Sequence, residues 1–191
     1  MWRIRKAGFW LVLVFLCAAV FPPELSAEEC PGCSVCEVVR PDLFFSSERI
    51  VIVPFSPGPR VFADGRTDQA SLSIVQGMAE EFERDGRLSV AGNESADQAD
   101  LIVTGQIDEL RQEKSWKRFL LKKPRQVLGV HGRILYHPDS TVVAVFSFEV
   151  NALSGDGTDI RALGVELGGK LVRCVLTLSK QNIKEGKGEV Q

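Results

Sequence analysis

The sequence predicts an α/β fold of the α+β type: a two-layer sandwich whose mixed, mostly antiparallel sheet of about five strands carries two helices on one face. The expected order is β-α-β-β-β-β-α. Three observations predict it. Ile50-Val51-Ile52-Val53 is an unbroken β-branched run closed by Pro54, the pattern of a central strand buried on both faces. Val142, Ala144, Phe146, Phe148 and Val150 alternate with Thr141, Ser147 and Glu149 among apolar neighbours, which marks a strand with one core face. Ile160, Leu163, Leu167, Leu171, Cys174 and Leu178 recur at spacings of three and four, the stripe of a helix buried along one side.

The elements follow in order. Arg3, Arg5 and Lys6 precede an apolar run from Gly8 to Phe21, and Leu25-Ser26-Ala27 supplies a small-residue cleavage site. Residues 1–27 therefore read as a secretory signal peptide, too short in its apolar run to span a bilayer as a helix of about 20 residues. Lipid attachment at Cys17 is disfavoured because Leu16, directly before it, is a large residue. Residues 28–47 read as a cysteine-containing tether broken by Pro31, Gly32, Pro41, Ser46 and Ser47, with Leu43, Phe44 and Phe45 able to dock on the domain. The domain proper spans 48–178.

After the first strand, Ser56–Thr67 is a loop rich in proline and glycine. A helix follows from about Asp68 to Asp85, capped by Asp68 and stopped by Gly86. Its expected buried stripe is Leu72, Val75, Ala79 and Phe82, with Glu80, Glu81, Glu83 and Arg84 toward water. Leu88-Ser89-Val90 is a short strand, and Asp100–Leu110 a longer one with Leu101, Val103, Gly105 and Ile107 on one face. Val127–Tyr136 and Thr141–Val150 form a hairpin through His137-Pro138-Asp139-Ser140, where proline fixes a backbone angle. Gly155-Asp156-Gly157-Thr158 leads into the last helix, Asp159 to Leu178, in which Gly164 and Gly168 allow a close neighbour. The tail, 179–191, is expected to fray.

Composition narrows the function. The leader removes three basic residues and one acid from totals of 23 and 25, leaving 20 and 24 and a net charge of −4. Such a balance, in an exported chain, excludes nucleic acid as an expected partner. The mature length suits one domain with its own core. Cys30, Cys33, Cys36 and Cys174 survive processing, an even number suited to disulfides in an oxidising compartment.

The run Ile50 to Phe55, the helix ending near Gly86, Ala99-Asp100-Leu101-Ile102-Val103-Thr104-Gly105-Gln106-Ile107, the Pro138-Asp139-Ser140 hairpin and the glycine-containing last helix together resemble a family of bacterial exported, lipoprotein-like domains of unknown function. More remotely the chain is similar to the amino-terminal domain of TolB and to the periplasmic domains of the curli-secretion channel subunit and of an outer-membrane activator of penicillin-binding proteins. The resemblance covers about residues 48–178. It implies an envelope location, periplasmic or outer-membrane associated, and carries over no catalytic residues and no cofactor. The chain departs from the family in its cysteine cluster and in a basic insert after the third strand.

Two stretches are candidate sites. Cys30-Pro31-Gly32-Cys33-Ser34-Val35-Cys36 offers three thiols, with Cys174 as a fourth sulfur, and admits structural disulfides, a metal site or thiol exchange. Glu37 stands where a c-type haem motif needs histidine. The segment from Arg111 to Arg125 has seven basic residues against one acid. Its Lys114, Trp116, Lys117, Arg118, Lys122, Lys123 and Arg125 could meet an anionic membrane surface, with Phe119, Leu120 and Leu121 interleaved. The bland alternative is a solvated hairpin loop.

Catalytic signals are thin. His131 and His137 lie in or beside a hairpin strand without a nucleophile at an elbow, and Gly155–Asp159 lacks the terminal glutamate of a calcium loop. The expected role is a non-enzymatic binding or assembly accessory of the cell envelope, contacting a protein partner through loops. The alternatives are a thiol-redox or metal protein and a membrane-surface binder.

Overall fold

A computed structural model describes residues 30–92, 97–112, 125–153 and 159–186. The strands are β1 (Cys33–Val38), β2 (Arg49–Ile52), β3 (Ser56–Pro57), β4 (Ser89–Ala91), β5 (Leu101–Gln112), β6 (Arg125–Tyr136) and β7 (Thr141–Leu153). The helices are α1 (Pro41–Ser46), α2 (Gly65–Asp85) and α3 (Ile160–Gly186). The sheet runs β1-β7-β6-β5-β2-β4, with β3 pairing β5 beyond the end of β2. Neighbours from β1 to β5 are antiparallel, whereas β2 lies parallel to both β4 and β5. The predicted class holds, with seven strands in place of about five and three helices in place of two among the described residues.

The helices cover one face. Leu101, Val103 and Ile107 of β5, Leu128, Val130 and Ile134 of β6, and Ala144, Phe146, Phe148 and Val150 of β7 are all buried beneath them. The α3 stripe predicted from Ile160 to Leu178 is buried at every position. Burying one such side chain contributes about 1.5–3 kcal/mol, so this layer is the main source of stability.

The two long helices touch at small residues. A methyl group on Gly164 would lie 2.6 Å from Ser73 Cβ, and one on Gly77 2.7 Å from Val165 Cα, so the backbones approach more closely than any larger residue permits. The same device operates in the sheet, where Gly105 and Gly132 sit directly opposite each other. The Phe55 and Phe146 rings occupy the space their side chains would fill, 6.3 Å apart between centroids.

Several expectations need correction. Helix α2 starts a turn earlier than expected, because the Asp64 carboxylate accepts from the Arg66 and Thr67 amides at 3.0 Å each and is the true cap. Its buried stripe runs through Ala70, Ile74, Met78 and Phe82, leaving Leu72 62% exposed. Glu81, expected in water, is 8% exposed and bridges Arg84 (2.6 Å) and Arg173 of α3 (2.7 Å). The stripe is rotated because Ser73 and Gly77 must face α3 for the helices to close. The stop at Gly86 is as expected, with a left-handed φ of 73°.

The supposed tether is part of the fold. Residues 33–38 form the edge strand β1 against β7, and α1 buries Phe44 while Phe45 lies beneath the Arg87 guanidinium at 4.5 Å. A tight turn at Cys30-Pro31-Gly32-Cys33 starts the strand, with the Cys33 amide donating to the Cys30 carbonyl at 3.0 Å. Gly32 has φ 92°, which glycine alone adopts readily, and proline pre-sets the position before it. At the other end, α3 continues through residues 179–186 that were expected to fray. Asn182 there donates to the Val38 carbonyl at 3.1 Å, and Ser179 is fully buried. The leader, residues 93–96, the 155–158 turn and the last five residues lie outside the described residues.

Candidate functional site

The sulfur site forms where β1 meets α3. Cys30 and Cys174 are joined in a disulfide across 144 positions, with their Cα atoms 5.5 Å apart. That pairing settles the connectivity the sequence left open, and it clamps the edge strand to the last helix. Cys33 and Cys36 remain thiols.

A strand normally sends residues three apart to opposite faces. Here Ser34 is the extra residue of a bulge, so Cys33 stands opposite Phe148 and Cys36 opposite Phe146, both on the helix-covered side. The Ser34 hydroxyl, on the other side, donates to Ser147 Oγ at 2.9 Å. As a result the Sγ atoms of Cys33, Cys36 and Cys174 all lie within 4.8 Å of one another.

Burial sets the protonation of the two thiols. It raises Cys33 above its ordinary value, partly offset by hydrogen bonds from Cys36 and at Val35. Cys36 is pushed up to about 12 by burial first, then by the charge of a Cys33 thiolate and the hydrogen bond between them. Both are therefore held as neutral thiols at neutral pH, the opposite of the lowered pKa that a catalytic exchange cysteine needs.

The second feature is the uncovered face of the sheet. Ser56, Thr104, Gln106, His131, Arg133 and Val145 line an open depression of about 380 Å³. Asp108, the extra residue of a bulge in β5, carries a carboxylate paired with His131 Nδ1. Apart from His131, weighed there as a catalytic signal, these polar positions were not singled out from the sequence, although the alternation of Leu101, Val103 and Ile107 with Thr104 and Gln106 contained the signal.

The third is the Ser56–Thr67 loop. Gly58 accepts from the Val61 amide at 3.0 Å, and the Thr67 hydroxyl donates to the Phe62 carbonyl at 2.6 Å. These bonds hold the loop while the Phe62 ring stands 88% exposed. The loop thereby presents one aromatic ring to solvent in a set position, where a partner could cover it.

Of the basic segment, residues 113–124, and with them Lys114, Trp116, Lys117, Arg118, Lys122 and Lys123, lie outside the described residues, as does the Arg125 side chain. The segment joins the paired ends of β5 and β6, where Gln112 stands opposite Gln126. The conspicuous Ala99-Asp100 pair serves the fold, since Asp100 Oδ2 accepts from the Glu48 and Arg49 amides at 2.8 and 3.0 Å and fixes the start of β2. Among the described residues, no helix is long and apolar enough to cross a membrane.

The architecture defines a class, among the described residues a helix-backed mixed sheet with one open face, and solved structures are similar to it to different degrees. PelC from Paraburkholderia phytofirmans, crystallised as a dodecamer, is similar with a TM-score of 0.51 at 14% identity, over 75% of this chain and 96% of that one. A point variant of the same dodecamer gives 0.50 at 14% identity, over 67% and 86%. A DUF330-family protein from Xanthomonas campestris gives 0.42 at 17% identity, over 76% and 89%. No protein-family model matches the chain, and no curated protein matches it either. At these identities the likeness to PelC establishes a common fold.

Proposed function

We propose that this chain is a non-enzymatic, self-assembling module of the bacterial cell envelope, working as a homo-oligomer outside the cytoplasm. The observation that carries the proposal is Phe62, a large ring held in water by a hydrogen-bonded loop. A second copy of the chain is the favoured occupant because the similar fold of PelC is that of a dodecamer subunit. The signal-like leader and the buried disulfide support an oxidising location. TolB-like or curli-like roles would be particular versions of the same module.

The test is native mass spectrometry of the mature chain, residues 28–191, beside Phe62→Ser. The wild type is expected as a discrete oligomer and the variant as a folded monomer with unchanged circular dichroism. A wild type that stays monomeric at all concentrations would sink the proposal, as would a variant that assembles equally well.

A further inference from the structure

We infer that Cys33 and Cys36 form a two-thiolate site for a soft monovalent cation of the Cu(I) class, seated beside the closed Cys30–Cys174 disulfide. Nothing in the assembly reading requires such a site, and the inference stands independently of it. Three features of the backbone and the donor set point to the site.

The first is the bulge. Without Ser34 as an extra residue, two cysteines three apart on a strand would face opposite sides; with it, both thiols point to the same side. A metal–thiolate bond is about 2.3 Å, so two sulfurs up to about 4.6 Å apart can share one ion. The observed limit of 4.8 Å among the three sulfurs is at that reach before any adjustment of a side-chain torsion.

The second is the composition of the donor set. Among the described residues, the group contains sulfur alone, with no histidine or carboxylate. Thiolates select soft cations, while zinc in a structural site asks for four ligands. With Cys30 and Cys174 bonded to each other, two ionisable sulfurs remain among the described residues. Two anionic sulfurs suit a low-coordinate d¹⁰ monovalent ion and leave zinc short of ligands. The Cys174 sulfur, already in a disulfide, is a neighbour of weak donor power.

The third is access. Both thiols are half-buried, so an ion can enter from solvent and then be shielded on the helix side. Binding breaks two S–H bonds, forms two metal–sulfur bonds and releases two protons to water. No electron is transferred.

The experiment titrates the mature chain anaerobically with Cu(I) against the chromophoric chelator bicinchoninate, after mass spectrometry has verified the intact Cys30–Cys174 bond. One Cu(I) per chain is expected, with uptake lost in Cys33→Ser and in Cys36→Ser and retained in Ser34→Ala, each variant checked for folding by circular dichroism. A parallel titration with Zn(II) is expected to show no uptake until the disulfide is reduced. The inference is overturned if the wild type takes no Cu(I), if both serine variants take it equally, or if Zn(II) binds with the disulfide intact. It is also overturned if alkylation in the native envelope finds Cys33 and Cys36 joined to each other.

Discussion

The two faces of this sheet are built from the same strands and do different work. On the covered side, Val103, Ile134, Phe146 and Phe148 are sealed under α2 and α3. On the uncovered side, one residue along, Thr104, Gln106, His131 and Arg133 line a shallow polar depression. The side-chain alternation of a strand produces both from one stretch of sequence. The contrast teaches that one face specifies the fold while the other is free to vary, because a polar residue facing water has little effect on stability. The surfaces left free of the core are therefore the open face, the Phe62 loop and the strand edge.

The largest expected effect concerns that edge. β1 completes the sheet beside β7, and the disulfide ties its start to α3 across 144 positions. By the chain-entropy account, closing a loop of that length stabilises the fold by about 5 kcal/mol. Chemical denaturation of Cys30→Ser should show a loss of that order. A loss under about 1 kcal/mol would mean that the edge strand is held by its ladder and by the Asn182 bond alone.

Next comes the contrast between the faces. Phe148→Ala empties a fully buried position and should cost about 3–5 kcal/mol in the same measurement. Arg133→Ala, on the same sheet but facing the depression, should stay within about 0.5 kcal/mol. Equal losses would show that the open face is covered in solution. That would sharpen the assembly proposal by placing a second copy on it.

How much of this was legible in the sequence follows the same division. Residues whose neighbours lie in the same element were readable: the α3 stripe, the β6–β7 hairpin and the Gly86 stop depend on local periodicity and turn chemistry. Leu72 and Glu81 were misplaced because the rotation of α2 is set by contact with α3, about 90 residues away, and by Arg173 in particular. The edge strand β1 was missed because Pro31 and Gly32 read as breakers, although Pro-Gly between two cysteines is the sequence of a tight turn that can begin a strand. Of the site, the cysteines were visible and their division into one disulfide and two thiols was not. The convergence of Cys33 and Cys36 on one side of the sheet depends on a bulge, which leaves little trace in a single sequence.

The smallest effect tests how α2 and α3 are joined at their exposed end. Asp85 bridges Arg87 at 2.6 Å and Lys180 of α3 at 3.4 Å. Partial burial pushes its carboxyl upward, but the Arg87 hydrogen bond and charge, with those of Lys180, outweigh it and leave the pKa below the ordinary 3.8. A group whose folded-state pKa is depressed contributes stability above its unfolded value and loses it as the pH falls through the folded one. Asp85→Asn should therefore have a lower Tm than the wild type at neutral pH, with a gap that closes as the solution is acidified below 3.8. The cationic partners, Lys180 above all, reach solvent and are screened by salt, so the gap should also shrink as ionic strength rises. A gap that persists unchanged into strong acid would mean that asparagine disturbs the end of α2 by itself, and that the helices are held by their glycine contacts without help from these charges.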